Sequence, residues 1–212
     1  FAAYPRDEQG DFDKLQAAGC RIVFAPTKDE MYPGEQLTSV IVKGVTDGLC
    51  GPLRPGHFEG VATVVSKLLL MAMPDRAFFG EKDYQQLQVI KRMVRDLSMP
   101  FEIVGMPTVR EADGLAMSSR NRYMNAAERK TATGLYRALN EVAQAVRGGA
   151  ACAATTAAAS QALLAGGFDK VEYLTVVDAE SLAPLERVAP APARVVAAVR
   201  LGRTRLIDNI AA

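Results

Sequence analysis

Lys82 lies in the run Phe78-Phe79-Gly80-Glu81-Lys82-Asp83-Tyr84-Gln85-Gln86, where a lysine, acidic residues and two glutamines follow an apolar stretch and a glycine. The run reads as a buried strand, a glycine turn and the first turn of a helix. Open α/β sheets bind ligands at the carboxyl ends of their strands. The first amides of a helix have no intrahelical acceptors and favour an anion. Lys82 adds a full positive charge. In a helix starting near Asp83, Gln86 follows about one turn after Lys82, on a similar face. An anionic group with a polar neighbour can therefore touch both.

A second group of donors spans Pro107 to Arg122. Ser118 and Ser119 carry short hydroxyls, and Arg120 carries a planar fork suited to phosphate. Arg110 and Arg122 add to the positive charge. The segment is too polar for core and too long for a simple turn. With Lys82, these residues suit a small phosphate-bearing ligand. His57 follows Arg54-Pro55-Gly56, and a hydrogen-bonding role in that loop is favoured over general acid–base work.

The elements that must position these groups can be read from periodicity and breakers. Asp11 to Ala18 has helical spacing, and Gly19 stops it. Arg21 to Ala25 and Thr38 to Val42 read as strands, and Gly51 to Gly56 as a loop. A buried helix is expected from Gly60 to Met73, with its Leu and Met residues in the core. A strand over 76–79 then enters the Lys82 turn. Tyr84 to Leu97 is an amphipathic helix with Leu87, Ile90, Val94 and Leu97 on one face, and Phe101 to Val104 is a further strand. Alternating strands and helices predict a parallel sheet. Beyond the serine segment, Asn125 caps a long helix to Val146, with Glu128 completing a capping box. An alanine-rich helix runs from Ala150 to Leu164. Strands follow at 171–177, 194–201 and 204–207, the last two joined by a tight turn at Gly202-Arg203. The predicted class is α/β: a parallel-sheet, Rossmann-like domain over 1–108 and a smaller α+β carboxy-terminal domain over 109–212.

The composition narrows the function. Of 212 residues, 49% are hydrophobic and 23% charged, as in ordinary soluble domains. A net charge of +1 argues against a dedicated nucleic-acid binder. Cys20, Cys50 and Cys152 are widely spaced and odd in number, which disfavours a disulfide framework or a cysteine metal site; reduced, mostly buried thiols in a cytoplasmic protein are expected. The longest apolar run, Val61 to Met73, is interrupted by Ser66 and Lys67 and too short to span a bilayer.

The motifs Leu49-Cys50-Gly51, Arg54-Pro55-Gly56-His57-Phe58, Phe79-Gly80-Glu81-Lys82-Asp83, Gln85-Gln86, Arg110-Glu111-Ala112-Asp113-Gly114-Leu115-Ala116 and Ser118-Ser119-Arg120-Asn121 occur in that order. Together they resemble the pantothenate synthetase (pantoate–β-alanine ligase) family, from about Tyr4 to Ile210. The resemblance implies a nucleotidylyltransferase-like domain with a carboxy-terminal lid, assembled as a homodimer. It implies that pantoate and ATP, with Mg2+, give pantoyl adenylate and pyrophosphate. The amine of β-alanine then displaces AMP. Gly80, Glu81, Lys82 and Asp83 match the ATP-contacting turn, Gln86 a pantoate contact and Val109 a backbone contact to adenine. Met117, Ser118, Ser119 and Arg120 match a flexible phosphate loop, with Lys82, Ser118, Ser119 and Arg120 as the catalytic set. No protein metal ligands are implied. Two family features are missing from the chain: an early His-x-Gly-His segment and a pantoate-binding glutamine before Tyr4-Pro5-Arg6. The expectation is that an amino-terminal part is absent. The alternatives are a related adenylate-forming enzyme for another acid, or an inactive nucleotide-binding fragment.

Overall fold

The structure, a computed structural model, describes residues 7–188 and 192–212. It divides into two compact units, one ending at Thr38 and the other running from Ser39 to Ala212. The expected 108/109 boundary lies inside the second unit.

The first unit contains α1 (Glu8–Ala17) and the single-turn α2 (Lys28–Met31). Asp7 caps α1 by accepting from the Gly10 amide at 3.2 Å. Thr27 and Glu30 form a reciprocal capping box on α2. The predicted strand at Arg21–Ala25 is not formed, and Ile22 is 85% exposed. Its residues favour a sheet, but a strand exists only beside a partner, and no described strand pairs with it.

The second unit is built around two sheets. Short α3 (Cys50–Leu53) leads into α4 (His57–Ala72). Strand β1 (Arg76–Gly80), a 3₁₀ turn (Glu81–Asp83), α5 (Tyr84–Asp96) and β2 (Glu102–Met106) follow. Strands β1 and β2 pair in parallel, from Arg76 opposite Glu102 to Gly80 opposite Met106. Tyr84, Leu87, Ile90, Met93 and Val94 bury the inner face of α5 together with Phe58, Ala62 and Leu69 of α4.

Four local expectations need correction. Thr38–Val42 forms no strand; the Val40 amide instead donates to Thr63 Oγ1 on α4 at 2.9 Å, so a side chain takes the bond a ladder would have used. Cys50–Leu53 is a helical turn where the glycine and prolines suggested loop. Leu70, Met71 and Met73, expected in the core, are exposed, because only one side of α4 faces α5. Leu97 lies just past the end of α5 and is also exposed.

A 3₁₀ turn (Ser119–Tyr123), α6 (Ala126–Arg147), α7 (Cys152–Ala165) and strands β3 (Lys170–Asp178), β4 (Ala193–Leu201) and β5 (Thr204–Ala211) complete the unit. The predicted capping box of α6 is present between Asn125 and Glu128. The three strands form an antiparallel sheet in the order β3-β4-β5. The two-residue turn between β4 and β5 requires Gly202, whose φ is +54° and where a Cβ would sit 2.0 Å from Glu128 Oε1. Leu135, Leu139 and Val142 of α6 pack against Val195, Ala197 and Val199 of β4. Val196 and Val177 face the other way, into the cluster of α4 and α5. The central strand β4 is thus buried on both faces, and it reads as a nearly continuous apolar run. The parallel sheet with helices and the separate small antiparallel sheet match the expected fold class.

Candidate active site

The Lys82 turn follows the expected order of strand, turn and helix, but the strand is not buried as expected: its residues are exposed or half-buried, and Phe78 is 61% exposed. Strand β1 ends at Gly80, and the chain bends through the 3₁₀ turn into α5. Lys82 is half-buried. Asp83 occupies the N-cap position of α5 but makes no side-chain cap bond. Glu81 is tied to β4 through Arg194 Nη2, 2.7 Å from its Oε2. Arg194 also lies over the Tyr84 ring, 3.9 Å from its centroid.

The serine segment leaves a small hairpin. Arg110 bridges Ala116, and the Met117 amide donates to the Val109 carbonyl at 3.0 Å. Gly114 turns the hairpin at φ +90°, and a Cβ there would meet Tyr136 at 2.4 Å. Both conditions select glycine. Arg110 is the anchor. It forms a two-pronged ion pair with Asp208 at 2.7 and 2.9 Å, donates to the Gly114 carbonyl at 3.0 Å and stacks on Tyr136. Ser118 then caps the 3₁₀ turn by accepting from the Arg120 amide at 3.2 Å.

These two segments meet. Lys82, Ser118 and Arg120 line one narrow pocket with Asn121, Arg205 and Asp208. Its free volume is about 10 Å³, about one water's worth. Asn121 Oδ1 is buried there without a hydrogen-bond partner. Arg205 is held by Glu172 at 2.6 Å and by Cys50 Sγ at 3.2 Å. Burial works against its charge, yet these two partners raise its pKa above the usual arginine value.

His57 opens α4, with Nε2 2.8 Å from Arg54 Nη1. The guanidinium donates, so Nε2 accepts and the neutral ring carries its proton on Nδ1. Burial, then the Arg54 charge, holds the His57 pKa below its ordinary value near 6.5. Arg205 and Arg120 push the same way, and Asp83 opposes them. Cations therefore converge on this end of the molecule from four parts of the chain.

Gly80, Glu81, Asp83, Gln86, Val109, Met117 and Ser119 do not line the narrow pocket. Gln86 is half-buried on the first turn of α5, while Val109 and Met117 are exposed on the hairpin. Sequence reading missed Arg205, Asp208 and Asn209. The available signal was a polar pair following Leu206-Ile207, taken as the end of a strand that in fact continues to Ala211.

A family model described as Pantoate-beta-alanine ligase matches residues 1–211. The chain belongs to this family. A pantothenate synthetase of Paramagnetospirillum magneticum is 57% identical over 210 residues, covering 99% of this chain and 74% of that protein. The crystal structure of the pantothenate synthetase of Thermus thermophilus is similar with a TM-score of 0.92 at 50% identity, over 98% of this chain and 75% of that one. That of the Francisella tularensis pantoate-beta-alanine ligase, complexed with beta-gamma ATP and β-alanine, has a TM-score of 0.79 at 29% identity, over 98% and 71%.

Proposed function

We infer that the chain joins pantoate to β-alanine at the expense of ATP, giving pantothenate, AMP and pyrophosphate through a pantoyl adenylate. The convergence of Lys82, Ser118 and Arg120 on one pocket carries this reading at the level of residues; family membership carries it for the chain. A pantoate carboxylate oxygen attacks the α-phosphorus of ATP, and the bond to the bridging oxygen breaks, releasing pyrophosphate with the electron pair. The β-alanine nitrogen then attacks the acyl carbon, loses a proton, and AMP departs.

In this proposal Lys82 and Arg120 neutralise charge on the phosphates, and Ser118 and Ser119 donate to them. Gly80, Glu81, Asp83, Val109 and Met117 hold the nucleotide, and Gln86 orients pantoate. Mg2+ arrives on the nucleotide, since such ions are commonly held by substrate phosphates and water with few protein ligands. The segment from Ser118 to Tyr123 closes over the bound nucleotide, excluding water from the adenylate. We assign residues 1–108 to the nucleotide- and pantoate-binding part and 109–212 to the lid. The working form is a homodimer in the cytoplasm; no described helix is long and apolar enough to cross a membrane.

Lys82→Ala in the complete protein is expected to lower pantoate-dependent ATP–pyrophosphate exchange by about 10²–10³-fold while leaving the melting temperature near that of the wild type. Exchange at the wild-type rate removes Lys82 from the reaction. A panel of carboxylic acids in the same assay tests the substrate: pantoate alone should support exchange, and equal exchange with another acid would overturn the assignment.

A further inference from the structure

We propose that Asn209, with its neighbour Asp208, is a positioning residue that fixes the separation of the two cationic segments. Both are buried polar residues on β5, at 4% and 3% exposure. Neither has been given a role in the reaction. Asn209 Nδ2 donates to two successive backbone carbonyls of the Lys82 turn, Glu81 at 2.9 Å and Lys82 at 3.0 Å. Its Oδ1 accepts from Arg194 Nε at 2.6 Å, and Arg194 grips the Glu81 carboxylate. The side-chain amide is thus oriented by one arginine and has every strong bond committed.

Asp208 points to the other side of the strand, as alternation requires. It holds Arg110 with both oxygens, and Arg110 holds the hairpin from which Ser118 and Arg120 depart. One dipeptide therefore grips both sides of the pocket. Only an amide fits at 209: a carboxylate would face two carbonyl oxygens, and an apolar side chain would leave them without a donor. The inference rests on the reading that Lys82 and Arg120 act on one nucleotide.

The test separates the half-reactions in the complete protein. We expect Asn209→Leu to lower kcat of ATP–pyrophosphate exchange about 10–100-fold, the scale of an ångström-sized misplacement, with KM for ATP nearly unchanged. Aminolysis of pre-formed pantoyl adenylate by β-alanine should stay near the wild-type rate. In the Lys82→Ala background the same substitution should cost nothing more, because its effect passes through Lys82. Asp208→Asn should fall in the same half-reaction. Should Asn209→Leu fail to fold, Asn209→Asp, which keeps the shape and the bond to Arg194, gives the same readout. Equal loss in both half-reactions, or a full further loss in the Lys82→Ala background, overturns the inference. A crippled Lys82→Ala beside a fully active Asn209→Leu also removes it while sparing the site. An active Lys82→Ala removes the site, and the inference with it.

Discussion

His57 is the single histidine of the chain, and its surroundings disfavour its charged form. Its pKa is depressed in the fold by burial and by Arg54. The unfolded chain therefore binds this proton more readily than the native one, and the contribution of His57 to stability is lost as the pH falls below about 6.5. Between pH 7 and pH 5 the wild type should lose more stability than His57→Gln, measured by urea unfolding at each pH. Parallel curves would place His57 outside the cationic cluster. At this scale the reading from sequence was uneven. Lys82, Ser118 and Arg120 were candidates because two donor-rich segments stood out in the sequence, and the fold brings the three to one pocket. Asp208 and Asn209 were not candidates, since their partners lie 98 and 127 or 128 positions away. Nothing local distinguishes a satisfied buried amide from an exposed one.

Among the elements, the connection from Val45 to Cys50 shows how a loop without regular structure is fixed. Gln85 is buried on the first turn of α5. It accepts from the Cys50 amide and donates to the carbonyls of Val45 and Gly48, each at 2.9 Å. Between them Leu49 sits at φ +55°, a conformation that costs of order 1–3 kcal/mol for a residue with a side chain. Replacing Gln85 by leucine strands the buried Cys50 amide and Val45 carbonyl and the part-buried Gly48 carbonyl, and is expected to cost about 2 kcal/mol or more. Chemical denaturation should register it, and an unchanged midpoint would mean that the loop is held by other means. Helices with caps and breakers were legible here: α5, α6 and the β4–β5 turn fall close to where the spacing put them. Arg21–Ala25 and Thr38–Val42 were not, because β-branched residues report a surface able to pack, and pairing depends on what lies alongside.

For the whole molecule, the remaining question is what covers its exposed apolar side chains. Phe78 and Met106 lie on the same side of the parallel pair and are 61% and 47% exposed. Leu70, Met71 and Met73 at the end of α4 are more than half exposed. Exposed apolar surface of this kind is where association gains most, at roughly 25 cal/mol per Å² removed from water. The expected outcome by light scattering is twice the mass of one chain at micromolar concentration; a monomeric mass would remove the homodimer from the proposal. The class of fold was legible at this scale because alternating strands and helices leave few architectures. The burial of β4 on both faces was not, since a second cluster reaches Val196 from elements far upstream.

The two-residue turn at Gly202-Arg203 sets the pairing of the last hairpin, from Leu201 opposite Thr204 to Arg194 opposite Ala211. A slip of one position would turn every side chain of the final strand to the opposite face. Asp208 would then point toward the carbonyls and Asn209 toward the guanidinium. A glycine some distance along the chain from the dipeptide thus acts as a gauge for the candidate site, and an insertion there is expected to scramble its alignment without altering Lys82, Ser118 or Arg120.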